Sequence, residues 1–237
     1  MKFTKDLVPL IRKEDMDLEA TKFLEKYCPE ALETPMPLPV EEIVEFKMGL
    51  EIDYANLTPD ARTLGMMVFS DGVTEIYRKA TGEYIPQEVK RGTMLIESDL
   101  TDIPGRERFT IAHEMIHWDK HQLRFTALSY QDKTIAKACR CPKERVYQAR
   151  TPEEWLEWQA DNLAAAILMP AEMFRLKVEE LKSKYHGRVG VKINDFMWKG
   201  FSPAIITEFI IDDLAETFRV SKQAAGIRCN TLQIALR

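Results

Sequence analysis

The sequence predicts an α+β fold, and three observations carry that prediction. Strand-like patterning is confined to about residues 50–99, helical patterning fills most of the chain beyond Pro104-Gly105, and a short helical stretch precedes both. Strands grouped ahead of helices, instead of alternating with them, describe a small antiparallel sheet packed with a helical core. The chain has 237 residues, 45% of them hydrophobic, enough for one large compact domain or two small ones.

Taken in order, Leu18 to Cys28 reads as a helix stopped by Pro29, and Pro35-Met36-Pro37-Leu38-Pro39 as a stiff extended connector. Val40 to Phe46 resumes a short helical pattern. Leu64 to Phe69, the turn Ser70-Asp71-Gly72, and Val73 to Tyr77 carry a hairpin signal, and Thr93 to Glu97 is a third strand. A polar loop is expected from about Thr126 to Arg150, with helices on either side of it.

Composition excludes several function classes. The net charge is −5 with 30% charged residues of mixed sign, so there is no global basic field to draw the chain onto nucleic acid or anionic lipid. The apolar patch near the N-terminus is short and cut by Pro9, unlike a secretory leader. No run approaches the roughly 18 apolar residues of a membrane span. Cys28, Cys139, Cys141 and Cys229 are too few and too irregular for a disulfide framework. The expected setting is the cytoplasm, with no membrane partner.

Chemistry enters at Arg108-Phe109-Thr110-Ile111-Ala112-His113-Glu114-Met115-Ile116-His117, which contains His-Glu-x-x-His. On a helix, residues four apart share a face, so His113 and His117 can hold one zinc ion while Glu114 serves as general acid and base toward a water. Such an ion lowers the pKa of the water and polarises a scissile carbonyl. A buried helix can contain these five residues by chance, so a third ligand has to decide.

His121 continues the series, but eight residues of helix rise by roughly 12 Å, too far for His113 and His121 to share an ion. It reads as an exposed polar residue or a substrate contact. Lys120 and Leu123 stand where a glycine and a third histidine would complete another known pattern. The better candidate is Glu157, on a helix that starts at the capping box Thr151-Pro152-Glu153-Glu154 and ends at Pro170. Glu157, Asp161, Ala164 and Leu168 fall on one face, and the small alanine suits close approach to another helix. The competing reading makes Glu157 a solvated carboxylate like Glu153. Asp161 argues against it, because metal-bound imidazoles usually donate their other N–H to a carboxylate.

Arg-Phe-Thr-x-Ala-His-Glu at Arg108–Glu114, with the run from Glu157 to Pro170, resembles the ImmA/IrrE metallopeptidases, which have a gluzincin-like metal site. The resemblance covers about Leu64 to Pro170. It implies a zincin-type core, His113, His117 and Glu157 as zinc ligands, Glu114 as catalytic acid/base, and Asp161 as the carboxylate behind a ligand. It also implies a protein substrate, a helix-turn-helix repressor whose cleavage switches on phage, mobile-element or stress genes. The sequence departs at Ile116, where the family often has glycine. The expected organisation is an N-terminal helical segment over 1–60, the zinc metallopeptidase core over 61–210 and a C-terminal helix-turn-helix-like segment over 211–237, joined as one compact unit.

Weaker features are read blandly. Cys139-Arg140-Cys141 make a poor ligand set for a second metal and read as ordinary loop cysteines. Asp212 to Arg228 has a helix-turn-helix rhythm, with Ser221 as a cap and Lys222, Gln223, Arg228 and Asn230 as groove-facing candidates. Asp212, Asp213 and Glu216 offset that charge, so direct nucleic-acid binding is not expected. Trp118, Trp155 and Trp158 are expected to pack around the metal helices. Tyr130, Tyr147, Tyr185 and His186 are equal candidates for an oxyanion donor. The rival class is a DNA-binding transcriptional regulator with a structural or vestigial zinc site.

Overall fold

The computed structural model describes residues 2–130, 138–142, 151–186 and 203–236. The chain is mixed α/β, in line with the expected class, and it divides into two compact units. Met1–Glu19 with Pro39–Ala164 form the first, and Ala20–Leu38 with Ala165–Arg237 the second. Among the described residues no helix is long and apolar enough to cross a membrane.

In the first unit, helix α1 (Met16–Tyr27) begins, and α2 (Val40–Glu42) passes into a π-helical turn, Ile43–Lys47. Among the described residues six strands follow: β1 (Glu51–Ala55), β2 (Thr63–Val68), β3 (Gly72–Arg78), β4 (Glu83–Val89), β5 (Thr93–Glu97) and β6 (Ala138–Pro142). Four of them make a sheet in the order β1-β5-β2-β6. Its β1–β5 pair is parallel, with Glu51 opposite Thr93, so the sheet is mixed and not purely antiparallel as expected. The other pairs are antiparallel, with Met67 opposite both Met94 of β5 and Cys139 of β6.

The expected hairpin between β2 and β3 does not form. β3 pairs instead with β4 in a separate two-stranded sheet, Ile76 opposite Ile85. Burial explains the exchange: Leu64 to Val68 is buried at every residue, as a central strand must be, whereas β3 and β4 are largely exposed. The strand signal of β4 is weak, because Glu83, Gln87, Glu88 and the mid-strand Pro86 interrupt its pattern.

Helix α3 (Pro104–Ser129) packs on β2, β5 and β6, and Pro104 at its first position lacks only a donor that would be idle there. It runs three residues past Thr126, and β6 occupies part of the remaining span, so the expected loop is in part helix and strand. A core of Ala55, Leu57, Met66, Val68, Val89 and Leu95 supports the sheet. Helix α4 (Pro152–Leu168) begins in this unit at the predicted capping box: Glu154 N–H donates to Thr151 Oγ1 at 3.1 Å and Thr151 N–H to Glu154 Oε2 at 3.2 Å.

The second unit contains α5 (Ala171–His186), α6 (Pro203–Phe218) and α7 (Lys222–Thr231), around Phe174, Val178, Leu181, Ile210, Leu214 and Phe218. Ser221 caps α7 as predicted, accepting from Ala224 N–H at 3.1 Å. Arg219 takes φ 49° in the turn before it, the left-handed conformation usually left to glycine.

Candidate metal centre

The centre lies within the first unit, where α3, α4 and β6 supply its side chains. Thr110 to His117 is an unbroken run of buried residues, so α3 is covered on all sides at this point. Close approach by β2 makes that possible at Gly65. A Cβ on Gly65 would stand 2.7 Å from Glu114 Oε1 and 2.7 Å from Thr110 Cγ2, so only glycine leaves room for the Glu114 carboxylate.

The hydrogen-bond network fixes which nitrogen of each imidazole is bare. His113 Nδ1 donates to Asp161 Oδ1 at 2.9 Å, since a carboxylate only accepts. The other chain begins at Pro9, whose carbonyl accepts from Gln159 Nε2 at 2.7 Å and thereby turns Gln159 Oε1 toward His121. His121 Nε2 donates to that oxygen at 3.2 Å, which leaves His121 Nδ1 bare to accept from His117 Nδ1 at 2.8 Å. Burial, with His117 beside it, lowers the His121 pKa well below the ordinary imidazole value and keeps the ring neutral. Both ligand candidates therefore turn an unprotonated Nε2 inward.

Those two Nε2 atoms lie 2.9 Å apart, and Glu157 closes the triangle. Its Oε2 is 3.3 Å from His113 Nε2 and its Oε1 3.2 Å from His117 Nε2. Glu157 Oε2 is buried without a hydrogen bond. Three acceptors converging in a buried space need a cation between them. Ligand atoms about 2.0–2.1 Å from a tetrahedral zinc stand roughly 3.3 Å from one another, so the observed separations fit such an ion.

His113, Glu114 and Cys141 also bring donor atoms within 4.8 Å of one another, which sets the Glu114 carboxylate beside the triangle. Cys139 meets it from β6: its Sγ donates to Glu157 Oε1 at 2.9 Å and lies 3.4 Å from His117 Nε2. Burial, then the neighbouring Glu157 and Glu114, push the Cys139 thiol well above its ordinary pKa.

The structure thus brings together His113, His117, Glu157, Asp161 and Glu114. It corrects two other expectations. His121 is fully buried and orients His117, and Cys139 and Cys141 are buried strand residues at the centre, not loop cysteines. The signal available for the cysteines was their spacing, since i and i+2 of a strand share a face. Gly65 and Gln159 carried no such signal.

Trp118 packs on Phe69 as expected, centroids 5.8 Å apart. Trp155 and Trp158 do more than pack, lining with Val8, Pro9 and Ile11 an apolar cavity of about 430 Å³, and Trp155 is 39% exposed. Of the oxyanion candidates, Tyr130 is exposed, and Tyr185 belongs to the second unit, where its hydroxyl donates to Asp213 at 2.9 Å. Tyr147 and the side chain of His186 lie outside the described residues. Arg228, a groove-facing candidate by sequence, is buried and donates to the Met169 carbonyl at 3.0 Å.

A family model described as the IrrE N-terminal-like domain, a peptidase family, matches residues 62–230. No curated protein matches the chain. Among solved structures, a Mycobacterium tuberculosis transcriptional regulator is similar with a TM-score of 0.48 and 16% identity, over 93% of this chain and 47% of that one. The chain thus spans about half the length of that protein.

Proposed function

The chain belongs to the peptidase family of the IrrE N-terminal-like domain, and from that membership we propose that it is a zinc-dependent endopeptidase of zincin type, with its peptidase chemistry within residues 61–210. The observation that carries the proposal is the convergence of two unprotonated Nε2 atoms and the Glu157 carboxylate on one buried point. His113, His117 and Glu157 would hold the ion, and Asp161 and the His121–Gln159–Pro9 chain would keep the two imidazoles in the right tautomer. Bound there, zinc would supply Lewis acidity for a water and for the scissile carbonyl.

Glu114 does the proton work. Its carboxylate takes a proton from the attacking water, and the same proton then goes to the amide nitrogen as the C–N bond breaks, releasing a carboxylate and an amine. Its carboxylate is buried beside His113, which sets it next to the point where a water on the ion would stand.

The substrate we propose is a helix-turn-helix repressor, a reading supported by the resemblance of the Arg108–Glu114 and Glu157–Pro170 motifs to enzymes of that habit. The test is incubation of the zinc-loaded chain with repressors encoded beside it, followed by mass spectrometry. A single internal cut, absent with Glu114→Gln, is the expected result. Intact repressors in the presence of bound zinc, across every candidate, would overturn the substrate assignment and favour a DNA-binding regulator with a structural or vestigial zinc site.

A further inference from the structure

Among the described residues β6 is the edge strand of the four-stranded sheet, paired to β2 with Cys139 opposite Met67 and Cys141 opposite Gly65. Residues i and i+2 of a strand share a face, and on β6 that face carries sulfur to the centre: Cys139 to His117 and Glu157, Cys141 to His113 and Glu114. A buried cysteine ordinarily behaves as a small hydrophobe. Cys139 Sγ sits instead against a ring nitrogen and a carboxylate oxygen that both belong to the metal triangle.

We propose that Cys139 is a fourth protein ligand, closing a His113–His117–Glu157–Cys139 centre in the resting protein. The inference rests on the zinc reading of the triangle and adds a device for keeping the enzyme latent. In a tetrahedral zinc site with Zn–S about 2.3 Å and Zn–N about 2.0–2.1 Å, the sulfur and nitrogen ligands stand roughly 3.6 Å apart. Cys139 Sγ is 3.4 Å from His117 Nε2 but is not in the set of ligand atoms within 4.8 Å of one another that His113, His117 and Glu157 form, so coordination would draw the sulfur inward, toward His113. The 2.9 Å contact to Glu157 Oε1 is the thiol's own hydrogen bond. It is lost on coordination, when the S–H bond breaks, the sulfur keeps the electron pair for the metal and the proton leaves to solvent.

A catalytic zinc site keeps one position open for water, whereas a site with four protein ligands is closed. Cys139 occupies the position the water needs. It stands on an edge strand whose one neighbour in the sheet, among the described residues, is β2, with α3 packed against it. A protein substrate that displaces β6 from β2 would draw the sulfur away and open the centre.

The test is X-ray absorption at the zinc edge of the full chain, loaded with zinc alone. The expected spectrum contains one sulfur at about 2.3 Å beside nitrogen and oxygen at about 2.0–2.1 Å. Cys139→Ser should lose the sulfur and keep zinc, while Cys141→Ser keeps both. Cobalt in place of zinc gives a second reading on the unaltered protein, a thiolate-to-cobalt charge-transfer band in the near ultraviolet. Stoichiometric zinc with only nitrogen and oxygen around it overturns the fourth ligand and leaves the peptidase reading standing. A sulfur shell that survives Cys139→Ser also overturns it. Failure of the unaltered chain to bind zinc removes both readings together.

Discussion

Gln159 and Pro9, 150 residues apart in sequence, meet through a 2.7 Å hydrogen bond that sets the protonation pattern of the metal centre. Because the Pro9 carbonyl can only accept, the Gln159 amide has one orientation, His121 one tautomer, and His117 one bare nitrogen aimed at His113. Gln159→Leu should therefore weaken zinc binding although Gln159 touches no ligand. Outer partners of this kind are worth about 10- to 100-fold in metal affinity. Competition with a chromogenic chelator measures it, and an affinity equal to wild type would remove the relay from the account. Asp161→Ala, which strips His113 of its acceptor, should fall in the same range.

Zinc should bind at about one ion per chain and stabilise the first unit, since an ion that binds only the folded state adds stability by mass action. Dialysis against a chelator should lower Tm, and zinc should restore it. Glu157→Ala should abolish stoichiometric binding. Its retention would show that the third ligand is some other group.

How much of this centre is legible in sequence follows from the range of each interaction. His113, Glu114 and His117 are a local pattern, and the Thr151 capping box fixes the phase of α4, so helical periodicity alone puts Glu157 and Asp161 on one face. Cys139 and Cys141 acquire their role from pairing with β2, which no local pattern encodes. Gly65 matters because a helix crosses the strand there. The strand pairing differs from the sequence expectation for the same reason: Ser70-Asp71-Gly72 looks like a hairpin turn, but the fully buried β2 finds its partners in β5 and β6.

Glu114→Gln should keep fold and zinc but lose cleavage, because the amide preserves shape and cannot accept the water's proton. General acid–base groups contribute typically about 10²- to 10⁴-fold, so the loss should fall in that range or beyond. The measurement is single-turnover cleavage of the cognate substrate with metal content determined in parallel. Cleavage at near wild-type rate would refute the assignment of the base.

Gly65→Ala is the steric counterpart. The added methyl would meet Glu114 Oε1 and Thr110 Cγ2 at 2.7 Å, so the Glu114 carboxylate must swing aside or β2 and α3 must part. Overpacking of this kind costs about 1–3 kcal/mol. Denaturant unfolding should show that loss, with zinc still bound and cleavage impaired because Glu114 has been moved. A variant as stable and as active as wild type would mean that β2 and α3 separate more easily than their packing suggests.

The last prediction concerns α6 and α7, which should contact protein and not DNA. Arg228, in the last turn of α7, is spent on the Met169 carbonyl in the core of the second unit. Lys222 is exposed but paired with Asp212 at 2.7 Å, and Lys184 with Asp213 at 2.6 Å, so two acidic residues of α6 offset the charge a phosphate backbone would need. Non-specific affinity for duplex should be weak and should fall steeply with salt. The measurement is a titration of the full chain against its own promoter and against random duplex at physiological salt, with Lys222→Ala and Gln223→Ala as probes. Arg228→Ala is unsuited to that purpose, because removing a buried guanidinium would destabilise the unit whether or not DNA binds. Nanomolar, sequence-selective binding lost in the Lys222 and Gln223 variants would overturn the prediction and make the regulator reading the stronger one.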